Sequence, residues 1–157
     1  MKADAAADTA ETPARRPGVG LRRIGYGILV VIHLALLAAI HVWPGWQAVP
    51  FLTAETTEVL GLVSAALIVG AVANLLYIVS DATVPKAVGE LVDMSVGLVA
   101  LVGVWRVFPF EFEYAMFDWA SLTARLVLVV SAVGLASGIV VRLTTLFRAL
   151  AARAPSR

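Results

Sequence analysis

The sequence contains no cysteine and only two histidines among its 157 residues. Disulfides, thiolate metal sites and cysteine nucleophiles are therefore excluded. Charged residues are also scarce, at 15% of the chain against about 25% in a typical globular domain. The sequence has no phosphate-binding loop, no HExxH or GxSxG motif and no nucleic-acid signature. We therefore expect neither enzymatic activity nor a bound cofactor or metal ion, and no nucleic-acid partner.

The main feature of the sequence is a set of long apolar stretches. Hydrophobic residues make up 61% of the chain, and the mean hydropathy is +0.91. A helix needs about 20 apolar residues to cross a bilayer, because hydrocarbon offers its backbone polar groups no other partner. Four stretches approach or exceed this length, at residues 24–42, 59–79, 87–108 and 119–141. They predict an all-α membrane protein with four transmembrane helices.

The apolar stretches divide the chain into three parts. Residues 1–21 are predicted to be a disordered tail, because their composition cannot offset the entropy of ordering. Residues 22–150 form the transmembrane domain, with helices at about 24–42, 58–80, 86–108 and 119–148, and residues 151–157 form a basic tail. Short connections favour antiparallel neighbours, so we expect an up-down-up-down bundle.

Basic residues predict the orientation of this bundle. They are retained on the cytoplasmic side of bacterial inner-membrane proteins. Ten of the twelve lysines and arginines precede the first helix, lie between the second and third, or follow the core of the fourth. We therefore expect a multi-pass protein of the bacterial inner membrane with both termini in the cytoplasm.

Polar residues within the apolar stretches are the candidates for chemistry, since a charge at membrane depth is costly. Helical spacing places Asn74 and Tyr77 on one face of the second helix, and Glu90 and Asp93 on one face of the third. The two faces are expected to meet in a polar seam formed by these four residues. The seam could be a proton or cation site. The structural alternative is a hydrogen-bonded cluster closed by a nearby arginine, namely Arg22, Arg23 or Arg142.

A second candidate lies near the opposite ends of the helices. Arg125 is seven residues into the fourth apolar helix, or about 10 Å from its start. A guanidinium at that depth is expected to find a carboxylate. Glu58 at the start of the second helix is the expected partner, with Glu111 and Glu113 as alternatives. An anion or lipid-headgroup site is the functional interpretation of this pair.

The two histidines, His33 and His41, both belong to the first helix. Eight residues of helix separate them by about 12 Å of rise, which is too far for one metal or haem iron. A haem would therefore require a dimer. We expect a hydrogen-bonded role for His33 and an interfacial position for His41.

The segment Val107–Phe112 reads V-F-P-F-E-F and is followed by Trp119 and by the sequence R-L-V-L, which begins at Arg125. This pattern resembles small bacterial four-helix membrane proteins of uncharacterised function, which typically show V-F-P-F-[DE]-F between their last two helices. The resemblance covers about residues 98–148 and implies no chemistry. The chain departs from the pattern in a longer segment, Glu113–Phe117, before the last helix.

These observations lead to a functional hypothesis with two alternatives. We expect a non-catalytic interaction or accessory protein whose partners are the lipid bilayer and either another membrane protein or a second copy. The first alternative is a proton-linked or solute transporter that uses Glu90 and Asp93. The second is a quinone- or haem-binding redox subunit that uses His33. A polar cavity between the second and third helices would favour the transporter.

Overall fold

The structure is a computed structural model that describes residues 19–80, 82–112 and 118–151. Four α-helices account for most of these residues, and a short 3-10 turn, Trp46–Ala48, follows the first. The helices are α1 (Val19–His41), α2 (Thr56–Val79), α3 (Thr83–Val107) and α4 (Asp118–Ala151). Each contains a segment long and apolar enough to cross a membrane. The prediction of an all-α chain with four candidate transmembrane helices is confirmed.

Two helices extend beyond the apolar stretches. α1 begins at Val19, five residues before the predicted boundary, and so includes Arg22 and Arg23. α4 continues to Ala151, three residues past the predicted end. Arginine is a good helix former whose long side chain can keep its charge in a polar layer, so a helix need not end where hydrocarbon ends. The rest of the expected N-terminal tail, residues 1–18, and the C-terminal residues 152–157 lie outside the described residues.

Among the described residues, close packing of helix backbones, with Cα atoms within 8 Å, occurs only between helices that are neighbours in sequence. α1 packs on α2, α2 on α3 and α3 on α4. Within the described residues, no Cα of α1 lies within 8 Å of a Cα of α4. The two inner helices hold most of the buried residues, whereas large apolar side chains of α1 and α4 are widely exposed. The expected bundle is therefore open between its first and last helices.

Two groups of contacts define the two ends of the molecule. At the loop end, the segments that follow α1 and α3 meet in an antiparallel bridge between Leu52 and Phe110. The amide of Thr53 donates to the carbonyl of Pro109 at 3.1 Å, which reinforces this bridge. At the opposite end, which we call the hairpin end, only residues 80–82 connect α2 to α3.

Candidate functional site

Asn74 and Tyr77 lie on the buried side of α2, near the hairpin end, with 6% and 7% of their surface exposed. The side-chain amide of Asn74 donates to the carbonyl of Gly70 at 2.7 Å, so this hydrogen bond lies within α2 and does not join it to α3. The Tyr77 hydroxyl rests on the backbone of α3, where a Cβ at Gly89 would lie 2.7 Å from it. This hydroxyl has no hydrogen-bond partner among the described residues. Because Gly89 has no side chain, Tyr77 fits between α2 and α3.

Glu90 pairs with an arginine of α4. The Nε atom of Arg142 lies 2.8 Å from Oε2 of Glu90, and the side chains are 40% and 17% exposed. This ion pair joins α3 to α4 at the hairpin end. Arg142 is one of the arginines expected to close the seam, and it neutralises one of the two seam carboxylates.

A tyrosine of α1 and a lysine of α3 extend the seam toward the hairpin end. The ammonium of Lys86 donates to the hydroxyl of Tyr26. It also lies 4.9 Å from the ring centroid of Tyr26 and 5.9 Å from that of Tyr77. The two rings make an edge contact with centroids 5.5 Å apart. Neither Tyr26 nor Lys86 was predicted as a site residue, although Lys86 lies one helical turn before Glu90 on the same face of α3.

Asp93 approaches His33 of α1 across a glycine of α2. The Nδ1 atom of His33 is 2.6 Å from the carbonyl oxygen of Leu29, so Nδ1 carries the proton that this bond requires. A Cβ at Gly70 would lie 2.7 Å from Cδ2 of His33 and 3.2 Å from Oδ1 of Asp93. The absence of a side chain at Gly70 therefore lets residues of the first and third helices meet over the second.

His33 and Asp93 share the wall of a cleft of about 400 Å³ that lies among the four helices. They are the polar members of the described residues that line it. The remaining wall is apolar and comes from α2, α3 and Leu135 of α4. Because α1 and α4 do not approach each other, the cleft is open between them. A cavity thus exists beside the second and third helices, but it is mainly apolar rather than polar.

In the described part of the chain, Arg125 forms no ion pair with Glu58, the expected partner, or with Glu111; Glu113, the other alternative, lies outside the described residues. The guanidinium of Arg125 instead lies over two aromatic rings at the end of α3, 4.3 Å from the centroid of Phe108 and 5.7 Å from that of Trp105. Aromatic faces attract cations electrostatically, which replaces the need for a carboxylate. Glu58 is exposed in the first turn of α2, where the helix dipole favours a negative charge.

His41 has a different environment from His33. Its Nε2 atom lies 2.7 Å from the Ser64 hydroxyl, which donates to the Leu60 carbonyl at 2.7 Å. Because that hydroxyl uses its proton on Leu60, His41 must be the donor in the first bond. His41 therefore fastens α1 to α2 and takes no part in the cleft.

The segment that carries the family resemblance ends α3 and shapes the loop end. Phe108 adopts a left-handed conformation, with φ of 45°, and its amide caps the helix by donating to Val104 at 2.8 Å. Pro109 follows and is fully buried. The chain matches no protein-family model, no curated protein and no solved structure. Its function must therefore be inferred from the geometry of the site.

Proposed function

We propose that this chain is a non-catalytic accessory protein of the bacterial inner membrane that binds a lipid-soluble molecule in its cleft. The observation that supports the proposal is the placement of His33 and Asp93 near each other, beside Gly70, in the wall of an otherwise apolar cleft. Binding sites for small molecules are mostly apolar, with a few convergent polar groups that orient the ligand. The opening between α1 and α4 would let such a molecule enter directly from the bilayer.

The chemistry of the two side chains determines which ligand group they can hold. The Nδ1 proton of His33 is committed to Leu29, so only Nε2 can face a ligand. Together, the imidazole and the carboxyl group of Asp93 can offer both a donor and an acceptor. A carbonyl or hydroxyl group on the ligand matches this pair. Glu90 is not needed in this role, because Arg142 already occupies it.

The charge distribution supports the orientation expected from the sequence. Arg22, Arg23, Lys86, Arg142 and Arg148 belong to the helix segments at the hairpin end. Under the positive-inside rule this end faces the cytoplasm. We therefore propose an up-down-up-down arrangement with both termini cytoplasmic and the loop end on the outer side.

The proposal is tested by filling the cleft. Ala66 lines the cleft, whereas its neighbour Ala65 is exposed on α2 and faces away. The full-length wild-type protein and each Phe variant would be purified in mild detergent, and their organic extracts compared by mass spectrometry. We expect a compound that copurifies with the wild type and with Ala65→Phe, but not with Ala66→Phe. Equal recovery from both variants, or no specific compound with the wild type, would overturn the proposal.

A proton-linked carrier is the second candidate, supported by the approach of Asp93 to His33 across Gly70. A carboxyl group and an imidazole in the same cleft can exchange a proton. Wild-type and Asp93→Asn proteins would be reconstituted in vesicles with a pH gradient. A carrier requires a proton flux that Asp93→Asn abolishes, whereas a binding protein shows no flux in either case. A quinone would fit the binding proposal, whereas a haem held by two histidines would need one from a second copy, because His33 and His41 are too far apart on α1 to share one iron.

A further inference from the structure

A second cavity lies beyond the cleft, beneath the paired loops. This loop-end cavity has a volume of about 150 Å³. Its walls include Trp46, Leu52, Pro109 and Phe110 from the loops and Leu60 from α2. The Leu52–Phe110 bridge holds the two loops together above it. The surface that faces this cavity is apolar, so it suits hydrocarbon and offers no site for a charged group.

The cleft and the loop-end cavity share two wall residues, Val63 of α2 and Val104 of α3. The two spaces therefore adjoin each other at these valines. Asp93 is level with Gly70 of α2, and the fourteen residues from Gly70 to Thr56 span roughly 21 Å at 1.5 Å per residue. We call these two adjoining spaces the slot; it extends along α2 and α3, and its polar groups, His33 and Asp93, belong to the cleft.

The dimensions of the slot restrict its occupant. A transmembrane helix of a partner protein is about 10 Å or more across with its side chains, which is too wide for spaces of about 400 and 150 Å³. A phospholipid is also unsuitable, because its charged headgroup would have to leave the interface for the membrane interior. A single hydrocarbon chain with a small uncharged polar head satisfies both limits.

We propose that the slot binds a single-chain lipid whose uncharged hydroxyl or carbonyl head lies between His33 and Asp93 and whose tail extends past Val63 and Val104 into the loop-end cavity. This inference rests on the proposed function and specifies the ligand class and its direction. The head points toward the hairpin end and the tail toward the loop end. Prenylated quinols, long-chain alcohols and long-chain aldehydes belong to this class.

The position of the tail can be tested directly with photoreactive alcohols. Lipid hydrocarbon is as apolar as the slot, so chain length should change the position of labelling more than the affinity. Hexadecanol and octanol, each carrying a diazirine at the chain end, would be added to the full-length protein in lipid vesicles and crosslinked by light. Mass spectrometry of the peptides would then identify the labelled residues.

We expect hexadecanol to label the loop-end cavity at Trp46 and Leu60, and octanol to label the cleft at Leu67 and Leu101. Val104→Phe should close the passage, so that hexadecanol no longer labels Trp46 while octanol still labels the cleft. Val102→Phe is the control, because Val102 is 40% exposed on the same helix and lines neither cavity. It should leave both labelling patterns unchanged.

The possible outcomes separate the two proposals. Labelling of the cleft by both alcohols, with none at Trp46 or Leu60, would overturn the tail assignment but retain the binding site. Unaltered labelling of Trp46 in Val104→Phe would also overturn it, because the tail would then reach the loop end by another route. Labelling confined to lipid-exposed residues such as Val102 would overturn both the slot and the proposed function.

Discussion

Glu90 and Asp93 are separated by one helical turn of α3, yet they have different surroundings. Glu90 is paired with Arg142 at 2.8 Å. Asp93 lies in the wall of the cleft, close to His33. The first carboxylate joins two helices, and the second is available to a ligand. We therefore expect substitutions at the two positions to affect different properties of the protein.

The Glu90–Arg142 pair should contribute to stability. In a double-mutant cycle with Glu90→Gln and Arg142→Gln, we expect a coupling of about 0.5–1 kcal/mol, because the arginine is 40% exposed and partly screened. The measurement is thermal unfolding of the purified protein in detergent. Glu58→Gln serves as the control, since Glu58 is exposed and makes no ion pair in the described region. Strictly additive effects of the two substitutions would show that the pair contributes nothing.

Gly70 should be intolerant of any side chain, unlike a second glycine of the same helix. A methyl group at Gly70 would lie 2.7 Å from Cδ2 of His33 and closer still to its Nε2, whereas one at Gly61 meets no atom within 4 Å. We expect Gly61→Ala to be neutral or to stabilise α2 by about 0.5–1 kcal/mol through helix propensity. Gly70→Ala should lower the unfolding temperature and reduce recovery of the bound compound. Identical behaviour of the two variants would contradict the close approach of α1.

Helical spacing was sufficient to place Asn74 and Tyr77 on the same side of α2, which is buried, and to include Arg142 among the candidate partners of the carboxylates. It could not predict that His33 lies beside Asp93, because the rotation of α1 about its own axis depends on packing against α2. The contribution of Gly70 was also not evident, since a glycine in a helix rich in small residues carries little information by itself. Tyr26 could have been found, because it lies two helical turns before His33 and therefore shares its face.

The residue that ends α3 also contacts α4. The backbone of Phe108 is in the left-handed region, with φ of 45°. Residues other than glycine adopt this conformation at a cost in free energy. Its ring lies beneath the guanidinium of Arg125, 4.3 Å from centroid to carbon. The same residue thus caps α3 and provides a contact for the first part of α4.

We expect Arg125→Met to destabilise the protein by about 0.5–2 kcal/mol, the range found for cation–π contacts. Arg106→Met is the control, because Arg106 is exposed at the end of α3 and no aromatic contact is found for it among the described residues. Unfolding in detergent, monitored by tryptophan fluorescence, gives the comparison. If Glu58→Gln destabilised the protein as much as Arg125→Met, the ion pair between Glu58 and Arg125 expected from the sequence would be supported over the aromatic contact.

The helices themselves could be predicted from apolar length, because the bilayer imposes that length. Their ends were less predictable. Val19–Arg23 is helical although it precedes the apolar stretch, since the length of a helix is not limited to the part that hydrocarbon covers. The sequence predicted a carboxylate partner for Arg125, because opposite charges can be recognised in a sequence. The aromatic rings that contact Arg125 come together only in the folded structure, at the end of α3.

For the whole molecule, the orientation can be tested because the chain has no native cysteine. Gln47 is exposed at the loop end and Ala151 is exposed at the end of α4. In intact cells, an impermeant thiol reagent should label Gln47→Cys and spare Ala151→Cys, since the basic hairpin end is expected to face the cytoplasm. After the cells are opened, both variants should react. Labelling in the reverse order would invert the proposed topology.

The close packing of each described helix backbone on its sequence neighbours alone has a consequence for how the protein is made. Every contact between helices can form as soon as the later helix of the pair has left the ribosome and entered the membrane. No earlier helix has to wait for a distant one, and such local contacts favour rapid folding. The cleft is completed last, when α4 arrives with Leu135, and the same helix brings Arg142 to Glu90. A nascent chain that stops after α3 would thus have the histidine and the aspartate but lack the fourth side of their enclosure.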